Sequence, residues 1–106
     1  MLTAPWYAPL RGWLDALGES AVSGHWSRVL PMLNRAAAER GLANAQGLPL
    51  CFVDAAAVRA EAYESHIWAT GEVPTRLGEG AWHDFFNALM WLTMPRTKAR
   101  LNALQA

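Results

Sequence analysis

The sequence predicts a mainly α-helical fold: about five helical segments packed as one small domain, with one short β segment near residues 48–53. Two features of the composition support this prediction. Alanine and leucine, which are strong helix formers, supply 34 of the 106 residues. Valine and isoleucine, which favour strands, supply only 6. Apolar side chains also recur at helical spacing, so each predicted helix has one apolar face.

Glycine and proline mark where the predicted helices end, because glycine favours the position after a helix and proline favours the first turn. Gly18, Gly41 and Gly71 close the first three helices, and Pro95 ends or kinks the fourth. Pro31 is compatible with the second helix only in its first turn, where backbone N–H groups have no helical partner. The five predicted helices cover about residues 9–17, 27–40, 54–69, 82–93 and 96–104.

The strand prediction rests on the short apolar run from Leu48 to Val53. A single strand leaves its backbone N–H and C=O groups unpaired, so it needs a partner. The segment around Val73 is one candidate, because a residue before proline favours extended backbone. Chain outside this sequence is the other candidate. Asp54, directly after the strand, is the expected N-terminal cap of the third helix.

Charge and cysteine content exclude several classes of function. Nine basic residues balance nine acidic residues, which argues against nucleic acid or an anionic membrane as a partner. No apolar run approaches the length of about 18 residues that a transmembrane helix needs, and the N-terminus lacks a secretory signal. We therefore expect a cytoplasmic protein. A single cysteine, Cys51, excludes an internal disulfide and a multi-cysteine zinc site, and its apolar surroundings favour an inert core thiol.

Six tryptophans in 106 residues leave two interpretations open. They supply bulk to a small core, or some of them are exposed and mark a surface for a partner. Arg96, Lys98 and Arg100 make the C-terminal stretch basic, and it carries no acidic residue. A solvated helix face explains these charges, but so does contact with a partner. A non-catalytic helical interaction domain, using exposed tryptophans and the basic C-terminal helix, is therefore the alternative function.

A polar cluster in the second half of the chain is its most informative feature. His83 and Asn87 are four residues apart and share a helix face. Asp84 lies in the first turn of the same helix, where the helix dipole favours a carboxylate. Arg76 precedes this helix, and its guanidinium can hold a carboxylate or a phosphate with two hydrogen bonds. The partner of Arg76 is then Glu64, Asp84 or an external anion.

Two interpretations of this cluster remain open. In the enzymatic one, His83 is a general base or a metal ligand, and Asp84 or Glu64 orients it. Arg76 then holds an anionic substrate, which Asn87 positions. In the structural one, Asp84 caps the helix, and Arg76 pairs with Glu64. His83 and Asn87 then bond to backbone groups. The sequence identifies neither a metal nor a cofactor.

A series of motifs runs through the cluster to the C-terminus: Ala62-Tyr-Glu64, Thr70-Gly71, Val73-Pro-Thr-Arg76, His83-Asp-Phe-Phe-Asn87-Ala-Leu-Met-Trp-Leu92, and Pro95-Arg-Thr-Lys98 through Leu101-Asn-Ala-Leu-Gln-Ala106. Over about residues 48–106 these motifs resemble an uncharacterised bacterial family, domain-of-unknown-function family 3025. The N-terminal half resembles the family more loosely. The resemblance implies a cytoplasmic bacterial protein without an assigned activity.

The resemblance also implies where a site lies, because the family's signature polar positions fall within the cluster. The candidate catalytic residues are His83, Asp84 and Glu64, and the candidate substrate-binding residues are Thr75, Arg76 and Asn87. The leading prediction is a polar pocket that binds or acts on an anionic small molecule.

Members of the family are longer than this chain. The resemblance therefore implies that residues 1–106 form a single domain at the N-terminal side of a longer fold. We then expect exposed apolar surface to be buried either by further copies of the chain in a homo-oligomer or by a C-terminal region beyond residue 106.

Overall fold

A computed structural model of the chain describes residues 11–59 and 62–106. Within these ranges the chain forms five α-helices and two short strands, which confirms the predicted fold class. In chain order the elements are α1 (Arg11–Val22), α2 (Trp26–Glu39), β1 (Cys51–Asp54), α3 (Tyr63–Thr70), β2 (Glu72–Thr75), α4 (Ala81–Thr93) and α5 (Pro95–Gln105). A short 3-10 turn, Ala55–Ala57, follows β1. The start of the first predicted helix, at residues 9–10, lies outside the described residues.

The two strands form a parallel sheet, joined by a crossover that contains α3. Phe52 lies opposite Val73 in this sheet, so the segment around Val73, one of the two candidate partners, pairs with the predicted strand. A parallel pair needs such a crossover because both strands run in the same direction. Their carboxyl ends therefore meet at one edge, where Asp54 lies opposite Thr75.

A side chain of α2 satisfies part of the outer edge of β1. Asn34 donates from Nδ2 to the carbonyl oxygen of Phe52 at 2.9 Å, and its Oδ1 accepts from the Phe52 amide at 2.5 Å. The two bonds imitate the pairing that a third strand would provide. They satisfy backbone groups that an edge strand would otherwise leave unpaired, and they attach α2 to the sheet.

The C-terminal end of α3 is closed by a glycine and by a distant asparagine. Gly71 adopts the left-handed conformation, with φ of 81°, and an added Cβ would collide with the backbone of Pro49. Asn44 donates from Nδ2 to the carbonyls of Ile67 and Trp68 at 2.8 and 2.9 Å. Its Oδ1 accepts from two amides of its own loop. This buried side chain therefore ties the loop before β1 to the end of α3.

The structure corrects three details of the predicted helices. The first helix continues through Gly18 to Val22, because the buried residues Leu17 and Ala21 pack one turn apart across the glycine. Pro31 lies in the second turn of α2 rather than the first. It removes one backbone bond, to Ser27, and Ser27 is exposed, so water reaches that end of the helix.

The third helix begins at Tyr63 rather than at Asp54. Asp54 does act as a cap, since its Oδ1 accepts from the Ala56 amide at 3.0 Å. The capped element, however, is only the 3-10 turn, because Val58 is extended, with φ of −130° and ψ of 137°.

The core lies where α2 and α4 meet the sheet, and its largest side chains are Trp91, Phe52, Leu17 and Leu33. Among the tryptophans whose side chains the structure describes, Trp91 is buried and Trp26 is half-buried, whereas Trp68 and Trp82 are 40% and 46% exposed. These four tryptophans thus divide between the core and the surface, and the side chains of Trp6 and Trp13 are not among those that the structure describes. None of the described helices is long and apolar enough to cross a membrane.

Candidate functional site

The site lies at the carboxyl ends of the two strands. Arg76 follows β2 directly, and a short loop leads from it into α4, which carries Asp84. The first residue of α3, Tyr63, reaches the same place. Together these residues line a pocket of about 250 Å³, the strand-end pocket, formed by Ala55, Tyr63, Pro74, Arg76 and Asp84. In α/β proteins, ligands commonly bind at the carboxyl ends of parallel strands.

Arg76 and Asp84 form a two-point ion pair in this pocket. Arg76 donates from Nε to Asp84 Oδ2 at 2.9 Å and from Nη2 to Oδ1 at 3.0 Å. The backbone amide of Arg76 also donates to Oδ2, at 2.7 Å. The Asp84 side chain is 8% exposed and that of Arg76 is 49% exposed. Both carboxylate oxygens therefore accept from Arg76, whereas the guanidinium keeps its Nη1 hydrogens.

Gly80 allows the guanidinium to take this position. It is the residue before α4 and has φ of 85°, a conformation that other residues rarely adopt. An added Cβ would lie less than 3.0 Å from the Cζ, Nη1 and Nε atoms of Arg76. The arginine thus packs against the bare backbone of Gly80, and a side chain there would displace it.

The Tyr63 hydroxyl is the second donor in the pocket. Its oxygen accepts a hydrogen bond from Asn87 Nδ2 at 2.9 Å. Burial raises the pKa of this phenol, and the negative charges of Asp84 and Glu64 add to the effect. Tyr63 therefore keeps its proton, and within residues 11–59 and 62–106 no side chain or backbone group accepts it.

Asn87 and Lys98 support Tyr63 from α4 and α5. Lys98 donates from Nζ to Asn87 Oδ1 at 2.5 Å, and Nζ lies 5.6 Å from the centre of the Trp91 ring. Burial lowers the pKa of Lys98, although the charge of Glu64 acts in the opposite direction. Sequence analysis grouped Lys98 with Arg96 and Arg100 as a basic stretch, either a solvated face or a contact for a partner. The structure leaves those two arginines exposed but half-buries Lys98.

Glu64 belongs to a neighbouring contact between α3 and α5. Asn102 is buried and donates from Nδ2 to Glu64 Oε1 at 2.8 Å and to the Glu64 carbonyl at 3.0 Å. Asn102 Oδ1 and Trp91 Nε1 are buried without a partner among the described residues. Glu64 thus lies beside the site and is engaged with α5.

The structure brings some of the predicted site residues together and separates others. Arg76 and Asp84 meet in the strand-end pocket, and Asn87 reaches it through Tyr63. Thr75 is buried, and its hydroxyl donates to the Val73 carbonyl at 3.0 Å. His83 is exposed on α4 and is not among the residues that line the pocket.

Three contacts of the structural interpretation are wrong. Arg76 pairs with Asp84 and not with Glu64. Asp84 does not cap α4, because Gly80 occupies the cap position and the carboxylate is bound by Arg76. Asn87 bonds to side chains rather than to the backbone. The end of β2 lies against the first turn of α4, and side chains of α3 and α5 reach Asn87. Sequence spacing reveals neither arrangement.

The part of the chain that the structure describes gives little support for a metal site or for a nucleophilic thiol. No group of three or more His, Cys, Asp or Glu side chains there could hold a metal ion. Cys51 lies opposite Glu72 in the sheet, and burial raises the pKa of its thiol, with the charge of Glu72 adding to the effect. A raised pKa keeps the thiol protonated and disfavours its use as a nucleophile.

Sequence analysis did not single out Tyr63 or Lys98 as site residues. Both lie in motifs that carried the family resemblance, Ala62-Tyr-Glu64 and Pro95-Arg-Thr-Lys98. The motifs could therefore have pointed to these two residues. Sequence spacing could not, because Tyr63 and Asn87 are 24 positions apart and Asn87 and Lys98 are 11 positions apart.

Comparison with known proteins places these residues in a family. The family model described as "Protein of unknown function (DUF3025)" matches residues 50–106, which is more than half of the chain. The chain belongs to the DUF3025 family. The DUF3025 match begins just before β1 and includes every residue of the strand-end pocket, while α1 and α2 precede it. No curated protein and no solved structure matches the chain significantly.

Proposed function

We propose that this protein binds a small molecule bearing a carboxylate or phosphate group in the strand-end pocket. The observation that carries the proposal is the pair of unused donors, the Tyr63 hydroxyl and Arg76 Nη1, on residues that line one pocket. Charge-assisted hydrogen bonds from arginine are well suited to both kinds of anion. The resemblance to a bacterial, cytoplasmic family makes a cytoplasmic bacterial protein part of the same proposal.

The size of the pocket supports a small ligand. Its volume of about 250 Å³ is below the range of about 300–1,000 Å³ that holds a drug-sized molecule. Ala55 and Pro74 provide apolar surface beside the two donors. A short organic anion, with a few carbon atoms against these two residues, fits this combination.

Binding has more support than catalysis. Both oxygens of Asp84 accept from Arg76, so a proton taken up by this carboxylate would disrupt the ion pair. His83 does not line the pocket, and Glu64 is bound to Asn102. Catalytic roles for His83, Asp84 and Glu64 remain predictions.

A titration of the protein with acetate and, separately, with inorganic phosphate tests this proposal by NMR. We expect saturable shifts around Tyr63 and Arg76, with affinity about 10-fold weaker in Tyr63→Phe because one hydrogen bond to a charged group is lost. Arg76→Gln should weaken binding further. Arg96→Gln is the matched control, because it removes an exposed arginine from a different surface.

The comparison between the two anions identifies the preferred chemistry. Binding that survives Tyr63→Phe and Arg76→Gln but is lost in Arg96→Gln would place the anion on α5 and contradict the proposal. Absence of binding by both anions would contradict it as well.

A second candidate function is a helical interaction domain. It is supported by large, exposed apolar side chains at every fourth position of α4 and at the residue directly after it. These residues are Trp82, Phe86, Met90 and Met94. Sedimentation at several protein concentrations tests self-association through this surface. Phe86→Ser should weaken it while Arg100→Ser does not, and a monomer at every concentration would count against a homo-oligomer.

A further inference from the structure

The Tyr63 hydroxyl belongs to a chain of hydrogen bonds that spans three helices. Lys98 on α5 donates to Asn87 Oδ1 at 2.5 Å, and Asn87 on α4 donates from Nδ2 to Tyr63 Oη on α3 at 2.9 Å. Lys98 is half-buried, and its ammonium also lies over the Trp91 ring. The chain ends in the strand-end pocket, which Tyr63 lines.

The chemistry of Lys98 determines the direction of this chain. An ammonium group has three donors and no acceptor, so the group of Asn87 that faces it must be the amide oxygen. The NH₂ group of Asn87 then faces Tyr63 and can only donate. The tyrosine oxygen therefore accepts, and its own proton is directed away from Asn87.

Asp84, which lines the pocket beside Tyr63, does not accept the tyrosine proton. The oxygens of this carboxylate accept from Arg76, and the Tyr63 hydroxyl donates to neither of them. The hydroxyl proton thus has no acceptor among the described residues and is available to a ligand.

We propose that Lys98 and Asn87 are positioning residues that hold the Tyr63 hydroxyl as a donor, so that the strand-end pocket selects ligand groups that accept hydrogen bonds. This inference rests on the proposed function and specifies its ligand class. Neither residue touches the ligand; both act through Tyr63.

A double-mutant cycle on acetate affinity tests this role. In the wild type, Tyr63→Phe should weaken acetate binding about 10-fold. In the Asn87→Asp background the new carboxylate accepts the Tyr63 proton, so Tyr63→Phe should change the affinity by no more than about twofold. The added negative charge itself weakens binding equally with and without the hydroxyl, and the cycle therefore cancels it.

Lys98 variants provide a second cycle in case Asn87→Asp fails to fold. In Lys98→Met the amide of Asn87 is free to turn its oxygen towards Tyr63, and the effect of Tyr63→Phe should shrink. Lys98→Arg keeps a charged donor and should retain the wild-type effect. The same effect of Tyr63→Phe in all backgrounds would show that Asn87 and Lys98 are only structural, and would overturn the inference.

A measurement without ligand separates this inference from the proposed function. The carbon-13 resonance of Tyr63 Cζ responds when the hydroxyl begins to donate to a carboxylate, and Tyr63→Phe assigns it. We expect this resonance to move in Asn87→Asp and to stay in place in Lys98→Arg. An unmoved resonance in folded Asn87→Asp overturns the positioning role even if acetate binds. A moved resonance supports it even if no anion binds and the proposed function fails.

Discussion

In the folded protein, the surroundings of Tyr63 favour the protonated form of its hydroxyl. Burial and the nearby charges of Asp84 and Glu64 raise the pKa of its hydroxyl. The unfolded chain has no such surroundings, so its phenol ionises near the ordinary value of 10.0. The two states therefore bind different numbers of protons in alkaline solution, and stability becomes dependent on pH.

We expect the free energy of unfolding to fall as the pH rises above 10.0, the ordinary pKa of tyrosine. In that range the unfolded state has released the phenol proton while the folded state still holds it. The slope approaches about 1.4 kcal/mol per pH unit for this one group. Urea unfolding at a series of pH values measures it.

Tyr63→Phe is the control for this slope, because it removes the hydroxyl and keeps the ring. Lys98 contributes with the opposite sign below its ordinary pKa of 10.5, since burial lowers the pKa of its folded form. The difference between wild type and Tyr63→Phe isolates the tyrosine. Equal slopes in the two proteins would contradict the assignment.

At the scale of single elements, α4 has one buried and one exposed face, and both carry large apolar side chains. Phe85 is 5% exposed and belongs to the core, whereas its neighbour Phe86 is 59% exposed. Phe85 and Phe86 also contact each other and Trp82 through their rings. The helical period explains the difference, because consecutive residues point about 100° apart.

Alanine substitutions at these two phenylalanines should therefore differ in cost. Phe85→Ala leaves a cavity in the core and should lower the free energy of unfolding by about 3–5 kcal/mol. Phe86→Ala should lower it by less than about 1 kcal/mol, since it loses only a surface ring contact. Urea unfolding of both variants measures this. Similar costs would mean that the outer face of α4 is buried in solution.

At the scale of the whole molecule, asparagines join segments that are far apart in sequence. Asn34 links α2 to the edge of β1, Asn44 links the loop before β1 to the end of α3, and Asn102 links α5 to α3. A polar side chain that satisfies buried backbone groups holds two elements in one relative position. These contacts supplement a sheet that has only two strands among the described residues.

Asn44→Ala should lower the free energy of unfolding by about 2–4 kcal/mol, because it removes the four hydrogen bonds of a side chain that is buried between the loop and α3. Gln46→Ala is the matched control in the same loop. Gln46 makes one exposed side-chain bond, to the Trp68 carbonyl at 2.6 Å, and its loss should cost no more than about 0.5 kcal/mol. Thermal unfolding of the two variants gives the comparison, and equal losses would show that Asn44 does not tie the loop to α3.

The helices and the extended segment at Val73 could be predicted because their signals are local. Helical periodicity, the glycine after α3 and the proline at the start of α5 all act on neighbouring residues. The error at Gly18 arose where packing overrode a local preference, since Leu17 and Ala21 extend α1 into the core. At Asp54 the local cap was predicted correctly, but it starts only a 3-10 turn, because Val58 is extended.

The candidate site was predictable in part. Arg76, Asp84 and Asn87 were all named, because their polar side chains stand in or directly before a helix that is otherwise mostly apolar. Their partners could not be assigned, since Arg76 had two acidic candidates at comparable sequence distance. Tyr63 gave no polar signal, because a tyrosine in a helix is more often a core residue.

The sequence by itself determined the helical class, the need for a second strand and the residue types of the polar cluster. These follow from composition and from interactions within a few residues. Only the tertiary structure decided that Arg76 binds Asp84, that His83 is not in the pocket and that Lys98 reaches Tyr63 through Asn87. Hydrogen bonds require distances near 3 Å, and for residues on different elements the packing of helices against the sheet sets those distances.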